Sequence, residues 1–222
     1  MVRRTKEDAL ATRHKLLDAA EHLFQEQGVS RTSLQDIARR AGATRGAIYW
    51  HFNDKADLFN AMMERVTLPM EACFQRKESG QDGTSADKDA LNKVWGAITD
   101  CLEQITCDSR TRRVLEVATL KVEYVEELHA VRERHLNVRS AFLARFEQSI
   151  GDAARQRGLA LPIPVGQAAR GFHALIDGLM QTWLLDQQAF DLMTTGQAVM
   201  AIYLKGLGFS SVSDPSAGSK TS

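Results

Sequence analysis

The chain has no surplus of charge: 28 Lys and Arg stand against 28 Asp and Glu in 222 residues. The total therefore gives no sign of a polyanionic partner, and any such reading must rest on where the charges lie. Cysteine is scarce, and Cys73, Cys101 and Cys107 are an odd set without metal-ligand spacing. There is no long apolar run and no signal-peptide pattern, so the expected setting is a reducing cytoplasm, with no membrane partner. No nucleophile elbow, phosphate loop or zinc-ligand set is present. The expectation is a protein that is not an enzyme, with no catalytic residues, no metal and no cofactor. One pattern points the other way: Glu126-x-x-His129 has the helical spacing of carboxylate di-iron bundles. Such a site needs two of these motifs plus further inward carboxylates, whereas the stretch EYVEELHAVRERH holds one, which a solvated helix face explains better. A metal-binding helical-bundle enzyme is kept as a distant alternative. Convincing strands and internal repeats are missing too, which leaves an all-α chain.

What is present is organised around residues 32–55, TSLQDIARRAGATRGAIYWHFNDK. The pattern predicts two short helices joined by a tight turn, a helix-turn-helix. Thr32 is placed to cap the first helix with Gln35 as its capping-box partner, and Leu34, Ile37, Ala38 and Ala41 give it an apolar side. Gly42 can take a positive φ at the turn, and Thr44 is placed to cap a second helix from Arg45 to about Phe52. Ile48 and Phe52 face the core of this unit, which leaves Arg45, Gly46, Ala47, Tyr49, Trp50 and His51 largely outside. Before it comes a basic arm with Arg3, Arg4 and Lys6, then Leu16, Leu17, Ala20, Leu23 and Phe24 at helical spacing up to a stop at Gly28. Up to Val66 there are 11 basic residues against nine acids, a net +2, and Arg39, Arg40 and Arg45 cluster around the turn.

Asn53 reads as the N-cap of a fourth helix carrying Leu58, Phe59, Met62, Met63 and Val66, the connection between two domains. Pro69 should bend or break it, because a proline inside a helix costs about 3 kcal/mol. Residues 77–88 read as an exposed mobile loop, and everything beyond is helical. Leu91 to Ile105 line one helix, Val114 to Val122 the next with Asp108 or Ser109 as cap, and Leu128 to Ala153 a long one ended by Gly158 and two prolines. Residues 165–185 are apolar on more than one side, so that helix must be covered twice. Gly171, Ala174 and Gly178 give it a small-residue face, and a last helix with Val199, Met200, Ile202, Tyr203 and Leu207 completes an expected symmetric dimer seam that also takes in Trp183. The expected domains are 1–53 for DNA binding, 54–209 for ligand binding and dimerisation, and 210–222 as a disordered tail.

In these residues the chain resembles the TetR family of bacterial transcriptional regulators, most closely the AcrR and TtgR type of multidrug-efflux repressors. The likeness rests on MVRRTKEDA, TSLQDIARRAG and TRGAIYWHFNDK, and continues more weakly through DSRTRR at 108–113 and ALIDGLMQTWLL at 174–185. It implies about nine helices, a homodimer built on the last two, and release from a palindromic operator when a small molecule enters the C-terminal domain. It further implies a ligand wall of Leu115, Thr119, Phe142, Phe146, His173, Ile176 and Asp177, and a place for Trp50 near the DNA backbone, although a tryptophan is equally a packing residue.

The outer face of the second helix suits the major groove. Arg45 can make a bidentate contact with guanine, Gly46 permits close approach, and the Ala47 methyl can meet a thymine methyl. Tyr49, His51, Lys55, Thr32, Ser33 and Thr44 are expected mainly at phosphates, and Arg3, Arg4 and Lys6 at phosphates or an adjacent minor groove, unless they form a merely solubilising tail. In the C-terminal domain, Thr119, Glu123, His135, His173 and Asp177 are the polar residues embedded in apolar patterns, hence pocket candidates. Few cations lie between Phe172 and Phe190, which favours a neutral hydrophobic inducer. The alternative keeps the fold and makes the chain a repressor of a metabolic operon that answers to an acyl thioester or another metabolite.

Overall fold

Capping chemistry decides where the helices begin. The computed structural model describes residues 6–78 and 90–209, and for 67–78 the backbone only. Arg3, Arg4, residues 79–88 of the expected loop and the tail from Ser210 lie outside the described residues. Among the described residues there are nine α-helices and no strand: α1 (Lys6–Gln27), α2 (Leu34–Arg40), α3 (Arg45–His51), α4 (Lys55–Glu78), α5 (Ala90–Cys107), α6 (Ser109–Leu120), α7 (His129–Gln156), α8 (Val165–Leu185) and α9 (Leu192–Gly206), with one 3-10 turn at Glu126–Leu128.

The cap of α2 differs from expectation. Ser33, not Thr32, is the N-cap: its hydroxyl accepts from the Asp36 amide at 3.1 Å, and the Asp36 carboxylate accepts from the Ser33 amide at 3.2 Å. A carboxylate at a helix N-terminus gains from the macrodipole, which the amide of Gln35 would not. Thr32 is instead buried, its hydroxyl donating to the Gly28 carbonyl at 2.8 Å and accepting from Gln27 at 3.1 Å, and so it closes the turn between α1 and α2. At α4 the helix begins at Lys55, and Asp54 rather than Asn53 accepts the Asp57 amide at 2.8 Å. Thr44 caps α3 as expected, and Gly28 and Gly42 take the positive φ values, 87° and 65°, that end α1 and turn the chain after α2. Helix α4 runs unbroken past Pro69, so of the expected bend or break the break does not occur.

The chain divides into two compact units, Met1–Pro69 with Asp108–Val138, and Met70–Cys107 with Arg139–Ser222. This is not the expected cut at 53/54: α6 and the start of α7 belong with the helix-turn-helix. The first unit is built on the apolar face of α1, where Leu16, Leu17, Ala20 and Phe24 are fully buried, and Phe24 meets Phe59 of α4 with ring centroids 6.1 Å apart. Removing that Phe24 ring would cost about 3–5 kcal/mol through lost burial and the cavity left. Ile37, Ile48 and Phe52 join the same core from α2 and α3. Helix α6 is fastened to α1 at its far end, by Gln25 to Glu116 at 2.9 Å and by the Val29 amide to the Lys121 carbonyl at 3.1 Å.

The second unit packs α5, α8, α9 and most of α7. Leu91, Val94, Trp95, Ile98, Leu102 and Ile105 form the buried face of α5. Gly196 lets α9 lie against it, since a Cβ there would come within 2.7 Å of Leu102. Gly171 does the same between α8 and α9, where a methyl group would collide with the Tyr203 hydroxyl that donates to the Ala168 carbonyl at 2.9 Å.

Candidate nucleic-acid interface and effector domain

Helix α3 is too short to be stable alone and is held by its surroundings. The Thr44 hydroxyl accepts from the Ala47 amide at 3.1 Å, Ile48 and Phe52 are buried, and the Arg13 guanidinium lies 5.3 Å from the centre of the Phe52 ring. That fixes the opposite face to solvent. Arg45 is exposed and stacks over Tyr49 at 5.7 Å, Tyr49 is 51% exposed and Trp50 73% exposed, and His51 sits edge-on to Trp50 at 4.5 Å. Trp50 therefore contributes nothing to the core of its own unit. Gly46 is open, with nothing within 4 Å of a Cβ placed there. Ser33 and Thr44 are exposed at the starts of α2 and α3. Arg39 is paired with Asp36, and Arg40 with Glu26 through two bonds of 2.7 and 2.8 Å, so the basic cluster at the turn is partly neutralised by its own unit. The Ser33 hydroxyl and amide hold the Asp36 carboxyl below its ordinary range, which keeps it a charged cap.

Three residues expected at DNA are buried in the fold. Ala47 is 8% exposed because its position on α3 adjoins Ile48 on the core side, so little of its methyl is open to solvent. Thr32 is committed to the turn described above. Lys55 is 8% exposed, its ammonium donating to the Ser30 carbonyl at 3.1 Å and pairing with Glu127 at 3.1 Å. No periodicity separates a lysine aimed at phosphate from one aimed at a carbonyl, because both sit at the first turn of a helix.

The same unit carries a charged cluster that sequence reading missed. Glu21 is fully buried on the otherwise apolar face of α1. Its Oε1 accepts from Arg65 of α4 at 2.8 Å, while Arg110 and Arg113 of α6 stand 3.5 Å from Oε2. Asp18 takes Arg65 at 2.7 Å and Arg110 at 3.0 Å. Burial pushes the Glu21 carboxyl above its ordinary range against the pull of the arginines, and burial together with Arg113 pushes His22 down. An acid spaced one helical turn from Phe24 and Leu17 was the available signal.

In the second unit the expected ligand residues partly converge. Phe146 is buried, with ring centroids 6.5 Å from Phe142, 6.2 Å from His173 and 5.5 Å from Phe172. Ile176 is buried beside them on α8, and half-buried Asp177 accepts from Gln181 at 2.7 Å. Leu115 and Thr119 fall in the first unit, where Thr119 is exposed. Glu123 and His135 are surface residues as well, His135 lying 6.3 Å from the Tyr124 ring. A groove of about 200 Å³ in the second unit is lined by Ala90, Lys93, Val94, Ala97, Gln148, Ser149 and Asp152, none of them an expected ligand residue.

The expected dimer residues separate into two groups. Gly171 packs against Tyr203 within the chain and Trp183 is 7% exposed, so both serve the interior. Ala174 and Gly178 are exposed, as are Ile202 at 70% and Leu185 at 71%. Helix α8 is thus covered on one side by its own chain and open on the other. Glu126 is exposed, and His129 lies 3.6 Å from Glu133; among the described residues no group of three or more His, Cys, Asp and Glu could hold a metal ion. Among them, too, no helix is long and apolar enough to cross a membrane.

Residues 16–62 match the model of bacterial regulatory proteins, tetR family, and residues 89–209 that of the MAATS-type transcriptional repressor, C-terminal region. The chain is 36% identical over 208 residues to the HTH-type transcriptional regulator AcrR of Shigella flexneri, covering 92% of this chain and 93% of that one. The fold is similar to that of NalD, the secondary repressor of the MexAB-OprM multidrug efflux pump in Pseudomonas aeruginosa, with a TM-score of 0.79 and 36% identity over 91% of this chain and 98% of the other. It is also similar to SmeT, the repressor of the Stenotrophomonas maltophilia multidrug efflux pump SmeDEF, in its triclosan complex: TM-score 0.73, 30% identity, 88% and 90% coverage.

Proposed function

The chain belongs to the TetR family of bacterial regulatory proteins and is a DNA-binding transcriptional regulator, and from that premise we propose that it represses a multidrug efflux pump operon and is released by a hydrophobic small molecule. The observation that carries the DNA half is the outward face of α3, where Arg45, Tyr49 and Trp50 stand clear of a core that fixes the helix from behind, with half-buried His51 beside them. Arg45 reads a guanine through its fork of donors, Gly46 admits the helix to the groove, and Tyr49, Trp50, His51, Ser33 and Thr44 meet the backbone. Arg3 and Arg4 precede α1 and reach phosphates or the minor groove. The chain acts in the cytoplasm as a homodimer, because one seven-residue helix reads too few bases and two copies read half-sites about 34–36 Å apart. The open faces of α8 and α9, with Ala174, Gly178, Leu185 and Ile202, support that pairing.

The efflux reading draws on the relatives: NalD and SmeT, which match over nearly the whole chain, are repressors of such pumps. The aromatic group of Phe142, Phe146 and His173 with Ile176 and Asp177 supports a ligand site that takes planar apolar compounds. Ligand favours a state in which the two reading helices leave register with successive major grooves. The test is direct. An operator is selected from random duplex DNA with the purified protein, and its affinity is measured with and without triclosan, the compound in the SmeT structure. A fall of about 5–150-fold is the expected coupling. Triclosan binding that leaves operator affinity untouched would remove induction by such compounds from this account.

A further inference from the structure

The chain passes between its two compact units at 69/70, 107/108 and 138/139. On the side of the first unit, each crossing is pinned within a few residues of the boundary by an arginine. Arg65 lies on α4 just before the first and Arg110 on α6 just after the second, and both converge on Asp18 and Glu21 of α1. Arg134 lies on α7 just before the third and bonds Glu64, the neighbour of Arg65, at 3.3 Å. Glu21 is the centre of this arrangement. Its side chain is 1% exposed, Oε1 is bonded to Arg65 at 2.8 Å, and Oε2 is buried without a hydrogen bond, facing Arg110 and Arg113 at 3.5 Å.

Stability does not explain a carboxylate here. Its neighbours on α1 are Leu17, Ala20 and Phe24, and an apolar side chain of similar volume would pack as well or better, because a buried ion pair seldom repays its desolvation. What a carboxylate adds is direction: it specifies which guanidinium groups, and so which registers of α4 and α6, lie against α1. We propose that Glu21 is a positioning residue that sets how α4 and α6 are seated on the DNA-reading unit, and thereby the spacing at which two copies present α3 to DNA. Arg65 is its firm partner and Arg110 and Arg113 its adjustable ones, with Asp18 and His22 the other ionisable groups at the cluster. Displacement of α6 that closes either 3.5 Å gap would exchange one seating for another, since Oε2 has bonding capacity to spare.

This inference rests on the dimeric reading above, and half-site spacing separates the two. The full-length protein is tested on its selected operator and on the same sequence with one base pair inserted between half-sites, which rotates and shifts one half-site relative to the other. Wild type should discriminate by about tenfold or more, whereas E21Q and E21L, with thermal unfolding still cooperative, should discriminate by about threefold or less. A loss of folded protein would lower both affinities equally and leave their ratio unchanged, so the ratio reports positioning. If E21Q and E21L do not fold, the pair R110Q/R113Q, on partly exposed side chains, loosens the same seating and should relax the ratio alike. A wild type indifferent to spacing overturns the dimeric reading and this one together. Wild-type discrimination preserved in the folded variants overturns this one alone.

Discussion

Replacing Lys55 by methionine distinguishes a residue that touches DNA from one that braces the unit that does. The ammonium donates to the Ser30 carbonyl at 3.1 Å, and a hydrogen bond with a charged donor is worth about 1.5–3 kcal/mol net. Its pair with Glu127 is also 3.1 Å long, but that carboxylate is 62% exposed, so screening leaves at most about 1 kcal/mol. Against these, Lys55 is the first residue of α4, and removing a cation from a helix N-terminus returns about 0.3–1 kcal/mol. Methionine keeps the packing of the aliphatic stem. The balance is a loss of about 2 kcal/mol, read from urea unfolding as a lower midpoint at constant slope. Operator affinity, corrected for folded fraction, should keep its salt dependence, because no phosphate contact is lost. A lysine bound to phosphate would behave in the opposite way: stability within about 0.5 kcal/mol of wild type, and a plot of log affinity against log salt shallower by about 0.9. That second pattern would refute the assignment of Lys55 to the interior.

Arg45→Ala should lose about 1–3 kcal/mol of operator binding and relax selectivity at one base position; equal losses on operator and random DNA would remove the base-reading role. Trp50→Ala should leave stability within about 0.5 kcal/mol, given the exposed ring, while weakening operator binding in an anisotropy titration. Gly171→Ala should destabilise by about 1–3 kcal/mol through its collision with Tyr203. A cycle with Tyr203→Phe should recover part of that loss, and strict additivity would place the strain elsewhere. Glu21 has its carboxyl raised above the ordinary 4.5 by burial, so its protonated form is the better tolerated one. Wild-type stability relative to E21Q should therefore be fullest below pH 4.5 and fall as pH rises through the raised value, and a difference independent of pH would contradict that environment.

Much of the architecture was legible because caps, stop glycines and helical spacing are local properties. Thr44, Gly28, Gly42 and Asp108 act where their residue types predict, and the apolar positions of α1 and α5 form the cores expected of them. Local chemistry was least reliable where two capping residues adjoin. Thr32 and Ser33 are both able caps, as are Asn53 and Asp54, and the choice fell to whichever left its neighbour free for a turn or a second bond. The small-residue reading of α8 held at Gly171, where Tyr203 of the last helix makes the close approach.

The residue pattern by itself determined the helical class, the helix-turn-helix and the outward set of Arg45, Tyr49 and Trp50, because a helix packed through Ile48 and Phe52 has only one other face to offer. Tertiary structure alone decided which cations remain available to DNA and which are consumed within the chain. Lys55, Arg40 and Arg65 have the same composition-level appearance as Arg45, yet each meets a carbonyl or carboxylate supplied by a segment distant in sequence. Joining residues 108–138 to the reading unit was decided in the same way. Periodicity states which face of a helix is buried, whereas the element that buries it, and the charge that element brings, is a long-range choice that only the folded chain makes.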